Sequence, residues 1–196
     1  MRKGELTKLR IIERAAYLFN EKGYAATTMQ DIMDATGLTK GAIYRSFTNK
    51  DEIAIEAFQY AGQVLCQHFS AAVDSQNTII GKIVAMCGIY RDTAYNPPIQ
   101  GGCPFLNTAV ESDHSFPVLR DHAVLAYKQM LGFIQSLLLQ GIQSGELRSD
   151  MDTESTASFL FSSIEGAIMA SRLTRDNRHV SYAMDNIKQL LGAYKA

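Results

Sequence analysis

The sequence lacks the features of a membrane protein and those of the common enzyme classes. No apolar run approaches the roughly eighteen residues that a membrane-spanning helix requires. Residues 1–5 have no apolar stretch behind them, so we expect a cytoplasmic protein. The chain also contains no nucleophile elbow, phosphate loop or zinc motif. We therefore expect no catalytic site, no cofactor and no metal ion.

Cysteine is scarce, and its spacing matches neither a disulfide framework nor a zinc site. The three cysteines are Cys66, Cys87 and Cys103, an odd number. In Gly102-Cys103-Pro104 the proline favours a first helical position, which places the cysteine at the N-cap. A helix dipole there would lower the pKa of the thiol and favour a reactive sensor. The alternative is a reduced cysteine that packs as a small hydrophobe.

Histidines are few, and none belongs to a recognisable site. Two Asp-His pairs, at 113–114 and 121–122, are possible metal ligands, but one lies in a turn and the other early in a helix. A common geometry for the two pairs is therefore unsupported. An enzyme would need Cys103 as nucleophile and a histidine as base. Only isolated residues, and no recognisable motif, support that interpretation. The candidate bases are His68, His114 and His122.

The charges are unevenly distributed along the chain, although the formal net charge is only −1. Residues 1–50 contain nine Lys and Arg against five Asp and Glu, a net charge of +4. Residues 51–196 contain ten against fifteen, a net charge of −5. This asymmetry is typical of a DNA-facing head attached to a body that does not touch DNA.

Two short predicted helices surround a glycine in the basic part of the chain. Thr28 to Thr36 reads as a helix, because Thr28 and Asp31 fit the capping pattern of a hydroxyl followed by a carboxylate. Gly37 then supplies a turn, and residues 38–51 combine cations, hydroxyls and a tyrosine. This is the helix-turn-helix arrangement, whose second helix enters the major groove of DNA.

Individual residues of this motif have distinct predicted roles. Ile43 and Phe47 lie four apart, so they should anchor the second helix in the core and leave its other residues facing outward. Thr28, at a helix start, offers a hydroxyl to phosphate, although it is also a plain N-cap. Lys50 should project a free ammonium onto the DNA backbone, the alternative being an ordinary solvated lysine. The predicted DNA contacts are Thr28, Thr39, Lys40, Gly41, Tyr44, Arg45 and Lys50.

A set of residues within about 8 to 58 follows a known family pattern: Ala15-Ala16, Phe19, Gly23-Tyr24, Thr27-Thr28, Ile32, Gly37, Lys40 to Tyr44, Phe47 and Lys50-Asp51-Glu52. On these residues the chain resembles the TetR family of bacterial repressors. The family often has histidine before the phenylalanine of the motif, where this chain has Ser46. Arg45 can compensate by reaching phosphate or guanine, so the target sequence should differ from those of relatives.

The resemblance implies an all-α protein with two domains. Residues 1–48 would form a three-helix DNA-binding domain with the helix-turn-helix, and residues 49–196 a larger helical bundle for effector binding and dimerisation. Apolar periodicity and turn signals predict the remaining helices, and no credible strand pair is found. Besides 28–36, the predicted helices are 6–22, 49–72, 78–94, 104–111, 116–145, 153–174 and 181–194.

The last two predicted helices have wide apolar faces that admit two interpretations. They could cross their copies in a four-helix subunit contact, or they could close the core of a single chain. The family resemblance favours the contact, because a C2 dimer matches a palindromic operator. The face comprises Ala157, Leu160, Phe161, Ile164, Ala167, Ile168 and Ser171, with Ala183, Ile187, Leu190, Leu191 and Tyr194.

Methionines and aromatics of the body could line a ligand pocket, because such residues build adaptable apolar cavities. They are equally typical of any helical core, and the family resemblance favours a pocket for a small apolar or aromatic effector. The expected function is then a dimeric, ligand-responsive repressor of palindromic operator DNA. The alternatives are a Cys103 redox or electrophile sensor, a constitutive DNA-binding protein and an enzyme. The predicted pocket residues are Met86, Tyr90, Cys103, Phe105, Tyr127, Met130, Phe133, Phe161 and Met169.

Overall fold

The computed structural model describes residues 2–196, except for the side chains of Lys3, His114 and Ser115. Helices account for most of this range, and the predicted all-α class is confirmed. The described residues contain no strand beyond one isolated bridge between Leu147 and Lys195. Their helices are α1 Lys3–Lys22, α2 Met29–Thr36, α3 Lys40–Ile43, α4 Lys50–Asp74, α5 Ile79–Gly88, α6 Pro104–Ser115, α7 Pro117–Gln143, α8 Thr153–Thr174 and α9 Arg178–Ala193.

The prediction for α5 was too long, since the helix ends at Gly88 and not at residue 94. Beyond Gly88 the chain continues in turns whose polar groups bond to distant residues. The Asn177 side chain accepts a hydrogen bond from Ala94 N at 2.9 Å, and Arg172 Nη1 donates to Thr93 O at 3.2 Å. Directly after the helix, backbone amides bond three residues back instead of four, as in Tyr90 N to Cys87 O at 3.2 Å. The predicted helix from 104 was too short, because α6 continues to Ser115.

The chain divides into two compact units. The first unit contains residues up to Val64 together with Ile99–Val124, and the second contains Leu65–Pro98 and Leu125–Ala196. The helices α4 and α7 each contribute residues to both units. The functional boundary at residue 48 stays a prediction.

The core of the first unit joins α1, α2, α3 and the start of α4. Ile11, Ile32, Ile43 and Ile53 are fully buried within one apolar cluster, which explains how a four-residue α3 keeps its orientation. A second, smaller cluster is formed by Ala54, Phe116 and Leu119, with Phe19, Tyr24, Ile55 and Phe58 packed against it.

In the second unit the apolar face predicted for α8 is buried inside the chain itself. Leu160, Ile164 and Ile168 of α8 are 1%, 6% and 0% exposed, and Ile187 and Leu191 of α9 are equally inaccessible. The interpretation as a single-chain core therefore holds for these residues. Among the described helices, none is long and apolar enough to cross a membrane.

Candidate nucleic-acid interface

The start of α2 is closed by a reciprocal cap. Asp31 N donates to Thr28 Oγ1 at 3.1 Å, and Thr28 N donates to the Asp31 carboxylate at 2.7 Å. The Thr28 hydroxyl also donates to that carboxylate, at 2.6 Å. A hydrogen bond from Lys22, followed by those from Thr28, lowers the pKa of Asp31 far below its usual value. Thr28 is thus an N-cap, with an exposed side chain whose proton is bonded to Asp31.

The short helix α3 and the turn that follows it, residues 44–46, together present a polar face to solvent. Its cap is Thr39, whose Oγ1 accepts from Ala42 N at 3.3 Å. The outward-facing residues are all exposed: Lys40, Gly41, Arg45 and Tyr44, the last at 42%. Lys40 Nζ stands 5.8 Å from the centre of the Tyr44 ring. The structure therefore brings five of the seven predicted DNA-contact residues together.

The anchoring of this face is confirmed. Ile43 is fully buried and Phe47 is 3% exposed, as their four-residue spacing predicts. Gly41, by contrast, has no atom within 4 Å of the position that a Cβ would occupy. Packing within the chain therefore does not require glycine at this position.

The prediction that the Lys50 ammonium is free is wrong. Lys50 Nζ donates to Tyr24 O at 2.6 Å and to Thr27 O at 2.7 Å, and it lies 4.1 Å from the centre of the Tyr24 ring. Burial lowers the pKa of Lys50, while Asp51 and Glu111 oppose that shift. The physical reason is that the first turn of α4 packs against the α1–α2 turn, residues 23–28, whose carbonyls take up the ammonium.

Aromatic and acidic groups surround the same turn. The Tyr24 ring stacks on Phe116, with centres 4.6 Å apart, and lies 5.9 Å from Phe19. Its hydroxyl donates to Asp51, and burial is the main cause that raises the pKa of Tyr24. Both oxygens of the Glu111 carboxylate accept backbone bonds from the turn, from Tyr24 N at 2.6 Å and from Ala25 N at 2.7 Å.

An amide pair lies beside this carboxylate. Asn107 Nδ2 donates to Asn20 Oδ1 at 2.9 Å and to Asn20 O at 3.1 Å. Asn20 Nδ2 in turn donates to Gln100 O at 2.6 Å and to Gly102 O at 3.1 Å. Sequence reasoning missed Asn20, Asn107 and Glu111, although Asn107 and Glu111 are four apart and so share a face of α6.

The predicted ligand-binding residues are divided between the units. Cys103 and Phe105 belong to the first unit, and the other seven to the second. In the second unit Met86, Tyr90 and Phe161 are buried, and the Tyr127 ring lies 5.7 Å from that of Phe161. Met130 is partly buried. Phe133 and Met169 are 38% and 54% exposed, so they lie at the surface of that unit.

A small cavity of about 30 Å³ lies within the first unit. Its walls include Ala16, Ala54, Ala57, Asn20 and Asn107, and none of the predicted ligand-binding residues. This volume accommodates about two water molecules. Among the described residues, no three His, Cys, Asp or Glu side chains converge on a possible metal position, and the His114 side chain lies outside that description.

An exposed short helix anchored behind a glycine turn, with α2 capped beside it, defines the class of helix-turn-helix DNA-binding proteins. Two family patterns match this chain. "Bacterial regulatory proteins, tetR family" covers residues 11–57, and "Tetracyclin repressor-like, C-terminal domain" covers residues 80–187. The chain belongs to the TetR family of bacterial transcriptional regulators.

Three similar proteins illustrate the extent of the likeness. A TetR transcriptional regulator from Chloroflexus aurantiacus is 36% identical, with a TM-score of 0.94 over 100% of this chain and 98% of its own. The HTH-type transcriptional repressor DhaR of Mycobacterium sp. (strain GP1) is 28% identical over 85% of this chain and 82% of its own. CifR, solved as a cysteine mutant with a 26-base-pair operator duplex, is 14% identical, with a TM-score of 0.83 over 92% and 94% of the two chains. That last likeness concerns the fold alone.

The bonded state of Lys50 leads to a prediction about stability. Lys50→Ala leaves the carbonyls of Tyr24 and Thr27 without their charged donor. We therefore expect the free energy of unfolding to fall by about 1–3 kcal/mol. Thermal melting measures this change, at about 2–4 °C for each kcal/mol. Lys128→Ala, at an exposed lysine of α7, is the control and should melt like the wild type. Equal melting temperatures for the two variants would contradict the role assigned to Lys50.

Proposed function

We propose that the protein is a dimeric repressor that binds palindromic operator DNA and is released by a small apolar or aromatic effector. The observation that carries the DNA-binding part is the exposed polar face of α3, anchored by buried Ile43 and Phe47. The net charge of +4 over residues 1–50 supports the same surface, because most affinity for DNA comes from phosphate neutralisation.

The contacts divide into those that read sequence and those that position the protein. Arg45 can contact a guanine edge in two places, and Lys40 and Tyr44 flank it on the same exposed face. Gly41 lets the backbone of α3 approach the groove, and the capped start of α2 at Thr28 offers backbone amides to a phosphate. Lys50 supports this arrangement from behind by holding the turn that precedes Thr28.

Arg45 provides the direct test of the DNA-binding surface. Arg45→Ala should lower affinity for a duplex selected from a random pool with the wild-type protein, and reduce the salt dependence by about one charge. Sequence preference should relax at the contacted base. Fluorescence anisotropy over a salt series measures both effects, with Arg91→Ala, an exposed arginine of the second unit, as control. If both variants bind like the wild type, the assigned surface is wrong.

Dimerisation is proposed through the face of α8 that remains exposed in the single chain. Residues 159, 162, 166, 169 and 173 alternate by three and four, so they form one stripe along the helix. Phe159, Met169 and Leu173 are 55%, 54% and 80% exposed, while Ser162 and Gly166 are small enough to let a second helix approach. A partner copy that covers this stripe would remove large apolar side chains from water.

Charging the stripe tests the dimer without disturbing the core. Met169→Glu should place an unpaired charge in a desolvated contact and yield monomers at micromolar concentration by light scattering. Ile164→Glu is unsuitable, because that side chain is buried in the core of the chain itself. Val118→Glu is the matched control, since Val118 is 51% exposed in the first unit. A wild type that is monomeric under these conditions would refute the dimer.

The effector site is proposed within the second unit. Met86, Tyr90 and Phe161 are buried there, and Tyr127 pairs with Phe161, which favours an apolar or aromatic ligand. Such a ligand must bind one conformation of the protein more tightly than another, because a ligand with equal affinity for both does not change their populations. The helix α4, with residues in both units, is the proposed route to the DNA-binding element.

A thiol sensor at Cys103 is the second candidate for effector response. Cys103 lies at the N-cap of α6, as its sequence context predicts, although it is only 3% exposed and forms no side-chain cap. Release of DNA by an apolar ligand should persist in Cys103→Ser, whereas release by oxidants or electrophiles should be lost. Anisotropy with each class of compound separates the two. If neither a broad apolar panel nor electrophiles change DNA affinity or melting temperature, the protein binds DNA constitutively.

A further inference from the structure

We propose that Glu111 and Asn107 of α6 are positioning residues for DNA binding. They hold the end of α1 and the α1–α2 turn in the conformation that the operator complex requires. We call this group of contacts the clasp: Asn107 and Glu111 on α6, Gly101 before it, and Asn20 with the turn 23–28 opposite. The inference rests on the proposed operator binding and adds residues that lie more than fifty positions beyond the helix-turn-helix.

The carboxylate of Glu111 fixes the two amides that open the turn. Each of its oxygens accepts one charged hydrogen bond, from Tyr24 N and from Ala25 N, at 2.6 and 2.7 Å. Gly23 makes room for this approach, since a Cβ there would lie 3.0 Å from Glu111 Oε2. Its φ of +85° also ends α1 in a conformation that other residues rarely adopt. The turn is therefore shaped to receive a carboxylate.

The amides of Asn20 and Asn107 fix the end of α1 in the same way. Asn107 reaches both the side chain and the carbonyl of Asn20, and also Gly101 O at 3.0 Å. At Gly101 the backbone itself packs on α1, because a Cβ there would lie only 2.2 Å from Asn20 O. Asn20 is 8% exposed, so its polar groups depend on these partners and not on water.

The turn transmits this placement to the DNA-binding helices. Its carbonyls at Tyr24 and Thr27 accept from Lys50, while its amides at Tyr24 and Ala25 donate to Glu111. Thr27 is fully buried and its hydroxyl donates to Gly23 O at 2.6 Å, which closes the turn on itself. The next residue, Thr28, caps α2. We therefore expect loss of Glu111 to displace the N-cap residue of α2.

A positioning role differs from a purely structural one in what its loss should change. The apolar cluster around Ile11, Ile32 and Ile43 contains no part of the clasp, so these helices can pack without Glu111. Ala25 is exposed, and water can bond to its amide once the carboxylate is removed. Loss of Glu111 should thus loosen the turn and weaken DNA binding while the protein stays folded.

The experiment compares three substitutions on α6 in the full chain. Glu111→Ala removes both acceptors, Glu111→Gln keeps one carbonyl oxygen, and Asp113→Asn removes an exposed carboxylate of the same helix. The probe is the duplex selected from a random pool with the wild-type protein. We expect about tenfold weaker binding for Glu111→Ala, equivalent to about 1.4 kcal/mol, an intermediate loss for Glu111→Gln, and wild-type affinity for Asp113→Asn. Hydrogen exchange should accelerate at the Tyr24 and Ala25 amides in both Glu111 variants, and not in α9.

Three results would overturn the proposal, and each can be distinguished from the others. Faster exchange at the turn with unchanged affinity would mean that the turn need not be held for DNA binding. A lower melting temperature with wild-type affinity well below that temperature would leave Glu111 with a structural role alone. If Glu111→Ala does not fold, the DNA affinity and the hydrogen exchange of Glu111→Gln test the proposal instead. A wild type that selects no duplex would refute operator binding itself, and the proposal with it.

Discussion

The structure of the DNA-binding element depends on how the backbone of one short turn is satisfied. Between α1 and α2 the chain leaves both helices, so its amides and carbonyls need partners from elsewhere. Lys50 bonds to two of the carbonyls, and Glu111 to two of the amides. Two opposite charges from different helices thus hold opposite sides of the turn. Thr28, the N-cap of α2, follows directly on that turn, while buried Ile43 sets the orientation of α3.

This constraint explains why several polar residues tolerate partial burial. A charged group away from water is costly unless it has close partners, and both Lys50 and Glu111 have theirs within 2.7 Å. The Tyr24 ring lies 4.1 Å from the Lys50 ammonium and stacks on Phe116, and its hydroxyl is bonded to Asp51. The turn is therefore a junction where α1, α4 and α6 meet, and not a passive connection.

The sequence predicted those features that depend on near neighbours. The limits of α8 were correct at 153–174, because Asp152 caps its start and the apolar period runs unbroken. The burial of Ile43 and Phe47 followed from spacing alone. Features that depend on distant partners were missed. The acceptors of Lys50 lie 23 and 26 residues away along the chain, so local sequence patterns could not show that its ammonium is bonded. The partners of Glu111 lie 86 and 87 residues back along the chain and were missed for the same reason. In α8, the apolar periodicity predicted the face of Leu160, Ile164 and Ile168, which is buried in the chain. It did not indicate that Phe159, Met169 and Leu173 form a second, exposed stripe beside that face.

The outward face of α3 has one consequence for how such a protein changes over time. The described contacts of Lys40, Gly41, Tyr44 and Arg45 include none with the core cluster, and the space beside Gly41 is open. The proposed DNA-contact surface is thus separate from the apolar core that supports it. If these residues contact the operator as proposed, substitutions at these positions can redirect the protein to a new operator with little change in folding free energy. A lineage can therefore exchange its targets one residue at a time while α1, α2 and the clasp stay as they are.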